Sequence, residues 1–406
     1  MINKKLHTGR GNVRDLKELL KEVFPKVVEL RRDFHANPEL GYQEVRTAEV
    51  IARTLEGLGI TVKKNVAKTG VVGLLDTGKP GPTVALRADI DALPVKDAKK
   101  VEYASRVEGV CHACGHDGHT AILLGVAMVL SKLKEEFSGK VKFIFQPCEE
   151  HLPGGAKFMI EEGVLEDPKV ENIFGLHLWT NYPIGKVGVK AGALMAAPDS
   201  FAIEILGKGG HGSAPHQAID AVVIAAQVVQ ALQTIVSRSV DPLDPAVVSV
   251  GVIQAGYGFN VIADTAKIIG TVRTFKERTR AVIRKRIEEI VKGITSAFNA
   301  DYRIEYTEGY PALINDEKVT KFVKKIAEET LGAENVWEAE PVMGGEDFAY
   351  FLQKVPGCFV FLGARNEEKG IVYPHHHPEF DFDEDAMLLG MELMVKYVLR
   401  NTEIQN

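Results

Sequence analysis

The chain has 406 residues, more than one hydrophobic core usually organises, so two domains are expected. Its composition is 45% hydrophobic and 26% charged with a formal net charge of −6, which gives no electrostatic basis for nucleic acid or an anionic membrane as a partner. Four cysteines are too few for a disulfide scaffold and point to a reducing cytoplasm, and no run approaches the roughly 18 apolar residues of a spanning helix.

The opening "MINKKLHTGRGNVRDLKELL" is basic but has no apolar stretch behind the charges, so it does not read as a secretory signal. Helical apolar spacing runs from Val13 to Phe34, and "HANPELGYQE" follows as a loop. A second amphipathic helix is expected from Glu44 to Leu58, stopped by Gly59. The segments "TVALRADIDALP", "KVKFIFQPCEE" and "ENIFGLHLW" are short apolar runs that end in acids or histidine, with helical stretches such as "TAILLGVAMVLSKL" between them. Alternating buried strands and helices predict an α/β fold with a largely parallel sheet, and ligands of such sheets bind beyond the carboxyl ends of the strands. Asp89, Asp91, Glu149, Glu150 and His177 would all fall there.

Residues 192–302 read differently: a strand, a long apolar helix from Ala218 to Ile235, two strands and a charged helix make an α+β unit without metal-type ligands. Acids and histidines return in "GGEDFAYF" and "YPHHHPEFDFDEDAM". The division expected is 1–191 and 303–406 for one α/β domain, interrupted by a smaller α+β domain at 192–302.

The densest chemistry lies at 111–119, "CHACGHDGH". By itself a Cys-x-x-C admits a structural zinc clip or a redox pair, but a structural zinc site needs a second ligand pair nearby and none is present. "QPCEE" at 146–150 sets two carboxylates side by side at the end of an apolar strand, where they repel each other unless a cation is present. One can then hold a metal while the other serves as general base. Alone, His177 reads as a core histidine and "PHHHPEF" as a surface tract; together the segments converge on the strand ends of one sheet.

In order and spacing, "RRDFHANPELGYQE", "LRADIDALPV", "CHACGHDGHTA", "QPCEE", "GLHLW", "GKGGHGSAPH", "NVIADTAKIIGTVRTF", "GGEDFAYF" and "HHPEFDFDE" resemble the di-metal amidohydrolase branch of the aminoacylase/carboxypeptidase family. That branch contains hippurate hydrolases, N-acyl-amino-acid amidohydrolases, thermostable carboxypeptidases and auxin-conjugate hydrolases. The resemblance implies a metal-dependent exopeptidase-like α/β catalytic domain with an inserted ferredoxin-like lid or dimerisation domain. It implies two divalent metal ions, zinc or manganese, cobalt or nickel, held by Cys114, His116, Glu150, His177 and His376. It implies Glu149 as general base and His211 as donor to the oxyanion. Asp89, Asp91 and Asp117 would orient the ligands, and Asn260 and Arg273 would take the substrate carboxylate. Cys111 and Cys148 depart from the family pattern and are expected as buried thiols near the site; His151 has no assigned role.

The function implied is hydrolysis of the amide of an N-acylated amino acid, or removal of the C-terminal residue of a short blocked peptide, by a cytoplasmic homodimer or homotetramer joined through the inserted domain. Alternatives are an N-acetyl-diaminopimelate deacetylase or dipeptidase of the same family, a non-catalytic zinc-stabilised binding protein, and a redox module built on Cys111 and Cys114. The last leaves Glu150, His177 and His376 unexplained.

Overall fold

The computed structural model describes residues 15–404. The first helix spans Leu16–Ala36 and is capped by Asp15, whose carboxylate accepts from the Lys17 backbone N–H at 3.1 Å. The start expected at Val13, and most of the N-terminal stretch read for a signal, lie outside the described residues. The second helix is Val45–Gly57, and Gly59 just beyond it adopts φ 73°, the left-handed conformation that ends a helix at no steric cost.

Two units divide the chain: residues up to Gly192 with Ile314–Glu340 and Tyr350 onward, and Ala193–Leu313 with Pro341–Ala349. The larger holds an eight-stranded sheet in the order Thr61–Val66, Gly70–Asp76, Lys140–Gln146, Thr83–Asp89, Asn172–Pro183, Gly357–Arg365, Val187–Val189 and Val336–Glu338. The four central strands run parallel, while Gly70–Asp76 pairs antiparallel with both of its neighbours and Val187–Val189 pairs antiparallel with Gly357–Arg365. The sheet is therefore mixed rather than largely parallel. The fully buried run "TVALRAD" suits a strand covered on both faces, whereas the outermost Thr61–Val66 is mostly exposed, as an antiparallel edge allows.

The smaller unit has four antiparallel strands in the order Ala246–Ala255, Thr265–Thr274, Ala197–Leu206 and Asp301–Thr307. With the helices Ala221–Leu232 and Glu277–Ala297 this is the strand–helix–strand–strand–helix–strand pattern of a ferredoxin-like unit. Ala197–Leu206 alternates buried and half-buried side chains, and Phe201, Ile203 and Ile205 pack against Ile224, Val228, Ile287 and Val291. The helix expected from Ala218 to Ile235 is shorter. Asp220 caps it by accepting from Val222 N at 2.9 Å, the preceding Ile219 bridges to Lys208 in extended form, and a separate helix follows at Thr234–Ser239. Among the described residues no helix is long and apolar enough to cross a membrane.

One buried cation ties three parts of the larger unit together. Arg31, 0% exposed, donates to Asp117 Oδ2 at 2.9 Å, Asp381 Oδ1 at 2.6 Å and Glu384 Oε1 at 3.2 Å, with the Tyr103 and Phe382 rings 4.6 and 4.3 Å from its guanidinium carbon. Removing one member of such a network strands buried charges. Arg31→Met is therefore expected to lower stability by about 3–5 kcal/mol. A denaturant midpoint that stays within error of the parent would contradict this.

Candidate active site

The site is assembled from four segments of the larger unit. Gly115, at φ 87°, turns the chain so that the helix His116–Lys132 begins at His116, which places Cys114 and His116 beside the sheet. The strand Lys140–Gln146 runs into the turn that carries Glu149 and Glu150, and the strand Asn172–Pro183 carries His177. A loop near the C-terminus brings His376.

The ligand-type atoms of these residues converge. Those of Cys114, His116 and His177 lie within 4.8 Å of one another, as do those of Cys114, Glu150 and His376, and those of His116, Glu149 and Glu150. Cys114 Sγ is 3.5 Å from His177 Nε2, and Glu150 Oε1 is 3.3 Å from His376 Nε2 and 3.9 Å from His116 Nε2. His116 Nε2 and Glu150 Oε1 are both buried and have no hydrogen-bond partner. Unsatisfied buried polar atoms are costly, and a bound cation would satisfy both once His116 Nε2 has given up its proton.

Electrostatics agree. Burial, with Glu150 and Glu149 alongside, pushes the Cys114 thiol well above its ordinary value. Burial would lower His116, yet Asp89 and Asp91 outweigh it and push it up to about 10. Burial, reinforced by His119 and His375, holds His177 well below the usual imidazole range. Desolvation would raise Asp89, but His116, His119 and Arg87 hold it well below the usual carboxylate range. Without added cations, His116 and Arg87 supply the positive charge among these acids.

The groups expected to orient the ligands sit behind them. Asp91 presents Oδ1 and its carbonyl to His116 Nδ1 at 3.2 and 3.0 Å, and its Oδ2 accepts from Glu150 N at 3.0 Å. Asp89 takes Arg87 Nη1 on Oδ2 at 2.8 Å and His119 Nδ1 on Oδ1 at 2.6 Å. Asp117 accepts from Arg31 and, at 2.7 Å, from His35 Nδ1. The three histidines near 376 separate clearly. His376 meets Glu150, His375 Nε2 donates to Leu178 O at 2.9 Å, and His377 Nδ1 accepts from Glu379 N at 3.0 Å.

Cys111 lies buried 3.8 Å from His35 Nε2 and Lys99 Nζ, whereas Cys114 faces His177; none of the four cysteines is in a disulfide. Cys148 is buried in the Glu149 turn, with its N–H donating to Glu44 Oε1 at 2.9 Å, and His151 is exposed. Sequence reading missed Glu44, although "GYQE" stood in a motif, and it missed His119 and His35. Their partners lie 25 to 104 positions away, and no local pattern announces them.

The three remaining candidates belong to the smaller unit. His211 is exposed, and its Nδ1 accepts the Ser213 backbone N–H at 3.1 Å, so in the neutral ring the hydrogen is on Nε2. The backbone carbonyl of the exposed Asn260 accepts from Gly212 N at 2.8 Å, which places Asn260 beside His211. Arg273 is half-buried, and its Nη1 donates to Thr271 Oγ1, to Val272 O at 3.0 Å and to Asp199 O at 3.5 Å. Burial lowers its pKa.

Thiol, imidazole and carboxylate donors gathered on an α/β sheet, in a chain that also carries a ferredoxin-like insertion, define a hydrolase of the amidohydrolase and carboxypeptidase class. The sequence profile of peptidase family M20/M25/M40 matches residues 85–400, and the chain belongs to that family. It is 45% identical over 381 residues to thermostable carboxypeptidase 2 of Saccharolobus solfataricus, covering 93% of this chain and 96% of the relative. It is 48% identical over 301 residues to an N-acyl-L-amino acid amidohydrolase of Geobacillus stearothermophilus, covering 74% and 81%. Among solved structures, the Bacillus subtilis YXEP protein, described as a dinuclear metal binding peptidase, is 37% identical with a TM-score of 0.81, over 94% of this chain and 99% of that one.

Gly118 shows how tightly the site is packed. A Cβ there would stand 2.5 Å from Leu178 Cδ1 and from Phe382 Cζ, both in fully buried side chains. Alanine's gain of about 1 kcal/mol in helix propensity is outweighed by an overpacking cost of about 1–3 kcal/mol. Gly118→Ala should therefore lose stability in equilibrium unfolding; a gain would show that Leu178 is free to move.

Proposed function

We propose that the protein cleaves the amide bond of N-acylated amino acids, or of the C-terminal residue of short blocked peptides, at a centre of two divalent ions. The observation that carries this is the pair of buried atoms without a hydrogen-bond partner, His116 Nε2 and Glu150 Oε1, beside a second carboxylate, Glu149. The relatives' names support the substrate class, and the dinuclear description of the B. subtilis structure supports the stoichiometry.

Cys114, His116, Glu150, His177 and His376 would hold the ions, and this mixed donor set suits zinc, manganese, cobalt or nickel. Bound divalent ions lower the pKa of water and polarise a carbonyl oxygen. Glu149 takes the proton of the attacking water on its carboxylate and returns it to the departing amine nitrogen. Asp91 steadies both halves of the site, through His116 Nδ1 and the Glu150 N–H. His211 donates Nε2–H to the oxyanion, and Asn260 and Arg273, at opposite ends of the strand Thr265–Thr274, take the substrate carboxylate from different chains of the dimer. The open edge strand Ala246–Ala255, with exposed Val252 and Ile253 followed by exposed Tyr257 and Phe259, is where we place the contact of a dimer or tetramer.

The division of labour is tested by two neighbours. Glu149→Gln should retain its ions while kcat falls about 10²–10⁴-fold, and Glu150→Gln should lose metal. Indistinguishable behaviour of the two variants in metal content and turnover of N-acetyl and N-benzoyl amino acids would contradict the assignment.

Metal uptake should also depend on pH in a defined direction. His116, pushed up to about 10, and Cys114, raised by burial, must both lose protons to become ligands, so affinity rises with pH through the neutral range. Titration calorimetry in buffers of different ionisation enthalpy should record proton release on zinc binding; zero release across that range would count against these ligands.

A further inference from the structure

His119 is absorbed by no part of the mechanism, yet it is buried at the centre of the site. Pairing between the strands Asn172–Pro183 and Thr83–Asp89 ends at Gly175 with Arg87. Past that point the backbone N–H and carbonyl of Leu178, in two adjacent peptide groups, serve three imidazoles. Its N–H donates to His119 Nε2 at 2.9 Å, and its carbonyl accepts from His177 Nδ1 at 2.7 Å and from His375 Nε2 at 2.9 Å. A peptide N–H can only donate and a carbonyl can only accept, so both tautomers follow. His119 carries its hydrogen on Nδ1, aimed at Asp89 Oδ1 at 2.6 Å, and His177 carries its hydrogen on Nδ1, leaving Nε2 as a lone pair toward Cys114.

We infer that His119 is a positioning residue that acts through the Leu178 backbone: held by Asp89 and Arg87, it fixes the N–H side of the residue whose carbonyl, one peptide plane further on, sets the tautomer and ring orientation of His177. This rests on the reading of His177 as a ligand. A carboxylate commonly orients a ligating histidine by direct contact; here the carboxylate reaches it through a second histidine and the Leu178 backbone. The contacts run without a gap from Arg87 through Asp89 and His119 to the Leu178 N–H, and from the Leu178 carbonyl to His177, so the coupling across Leu178 is one of backbone position.

Two variants break the line at different points. His119→Leu removes the acceptor of the Leu178 N–H. Asp89→Asn keeps the shape, but Arg87 requires the amide oxygen, so the amide nitrogen turns to His119 Nδ1, moves that ring's hydrogen to Nε2 and sets it against the Leu178 N–H. His119→Gln retains an oxygen for Leu178 and a donor for Asp89.

The test is ¹⁵N-resolved NMR of the imidazoles in the metal-free full chain, with zinc affinity measured alongside. The parent should show His177 as a single Nδ1–H tautomer. His119→Leu and Asp89→Asn should show a mixture and bind zinc about 10–100-fold more weakly, while His119→Gln restores most of both. A single unchanged His177 tautomer in folded Asp89→Asn, with zinc affinity within twofold of the parent, would overturn the inference. Full retention of both ions by His177→Ala would instead remove the ligand reading beneath it, and that measurement is independent of the tautomer.

Discussion

Negative charge crowded into a buried place is the constraint on which the larger unit depends. Asp89, Asp91, Asp117 and Glu149 are nearly or fully buried, with Glu150 and the Cys114 thiol among them. An unpaired buried ion costs several kcal/mol, so each acid requires a positive partner or a donor. The protein meets part of this demand itself. Arg31 and His35 serve Asp117, Arg87 serves Asp89, and His116 lies between Asp89 and Asp91. Glu150 meets only imidazoles among the described ion pairs. Two divalent ions are the remaining cations in the reading proposed above, and they explain why so much acid can stand so close together.

Holding this arrangement requires backbone that chains avoid. Cys148, next to Glu149, has φ 53°, and His376 has φ 66°; each non-glycine residue in this region costs on the order of 1–3 kcal/mol. Both are fastened by hydrogen bonds to distant segments, Cys148 N to Glu44 and His376 N to Ala113 O at 2.7 Å. The turn and the loop that carry three proposed reactive groups are therefore held by long-range contacts. Local preference would place them elsewhere.

Much of this was legible in the residues. Apolar runs ending in acids marked the ends of Thr83–Asp89 and Lys140–Gln146, whereas the strand Asn172–Pro183 runs six residues past His177; the α/β class with an inserted α+β unit followed from the alternation, and the ferredoxin-like form of that unit from the family resemblance. The mixed sheet was less legible, because a short apolar run does not reveal the direction of its neighbour. The late start of the helix, after Asp220 instead of at Ala218, was missed because an aspartate cap and an extended Ile219 compete with apolar periodicity. The supporting residues were hidden for a different reason. Arg31 reaches Asp381 across 350 positions and Glu44 reaches Cys148 across 104, so folding alone makes them neighbours. His119 was visible within "CHACGHDGH" but not interpretable, since its partners are a carboxylate thirty residues back and a backbone amide.

In the proposed reading the buried acids are balanced by a pair of ions. Metal-stripped protein titrated with zinc or manganese, with bound metal counted by elemental analysis after gel filtration, measures it directly. Two ions per chain are predicted, with hydrolysis of N-acylated amino acids returning only as they are restored. A saturated stoichiometry of one, with full activity, would contradict it.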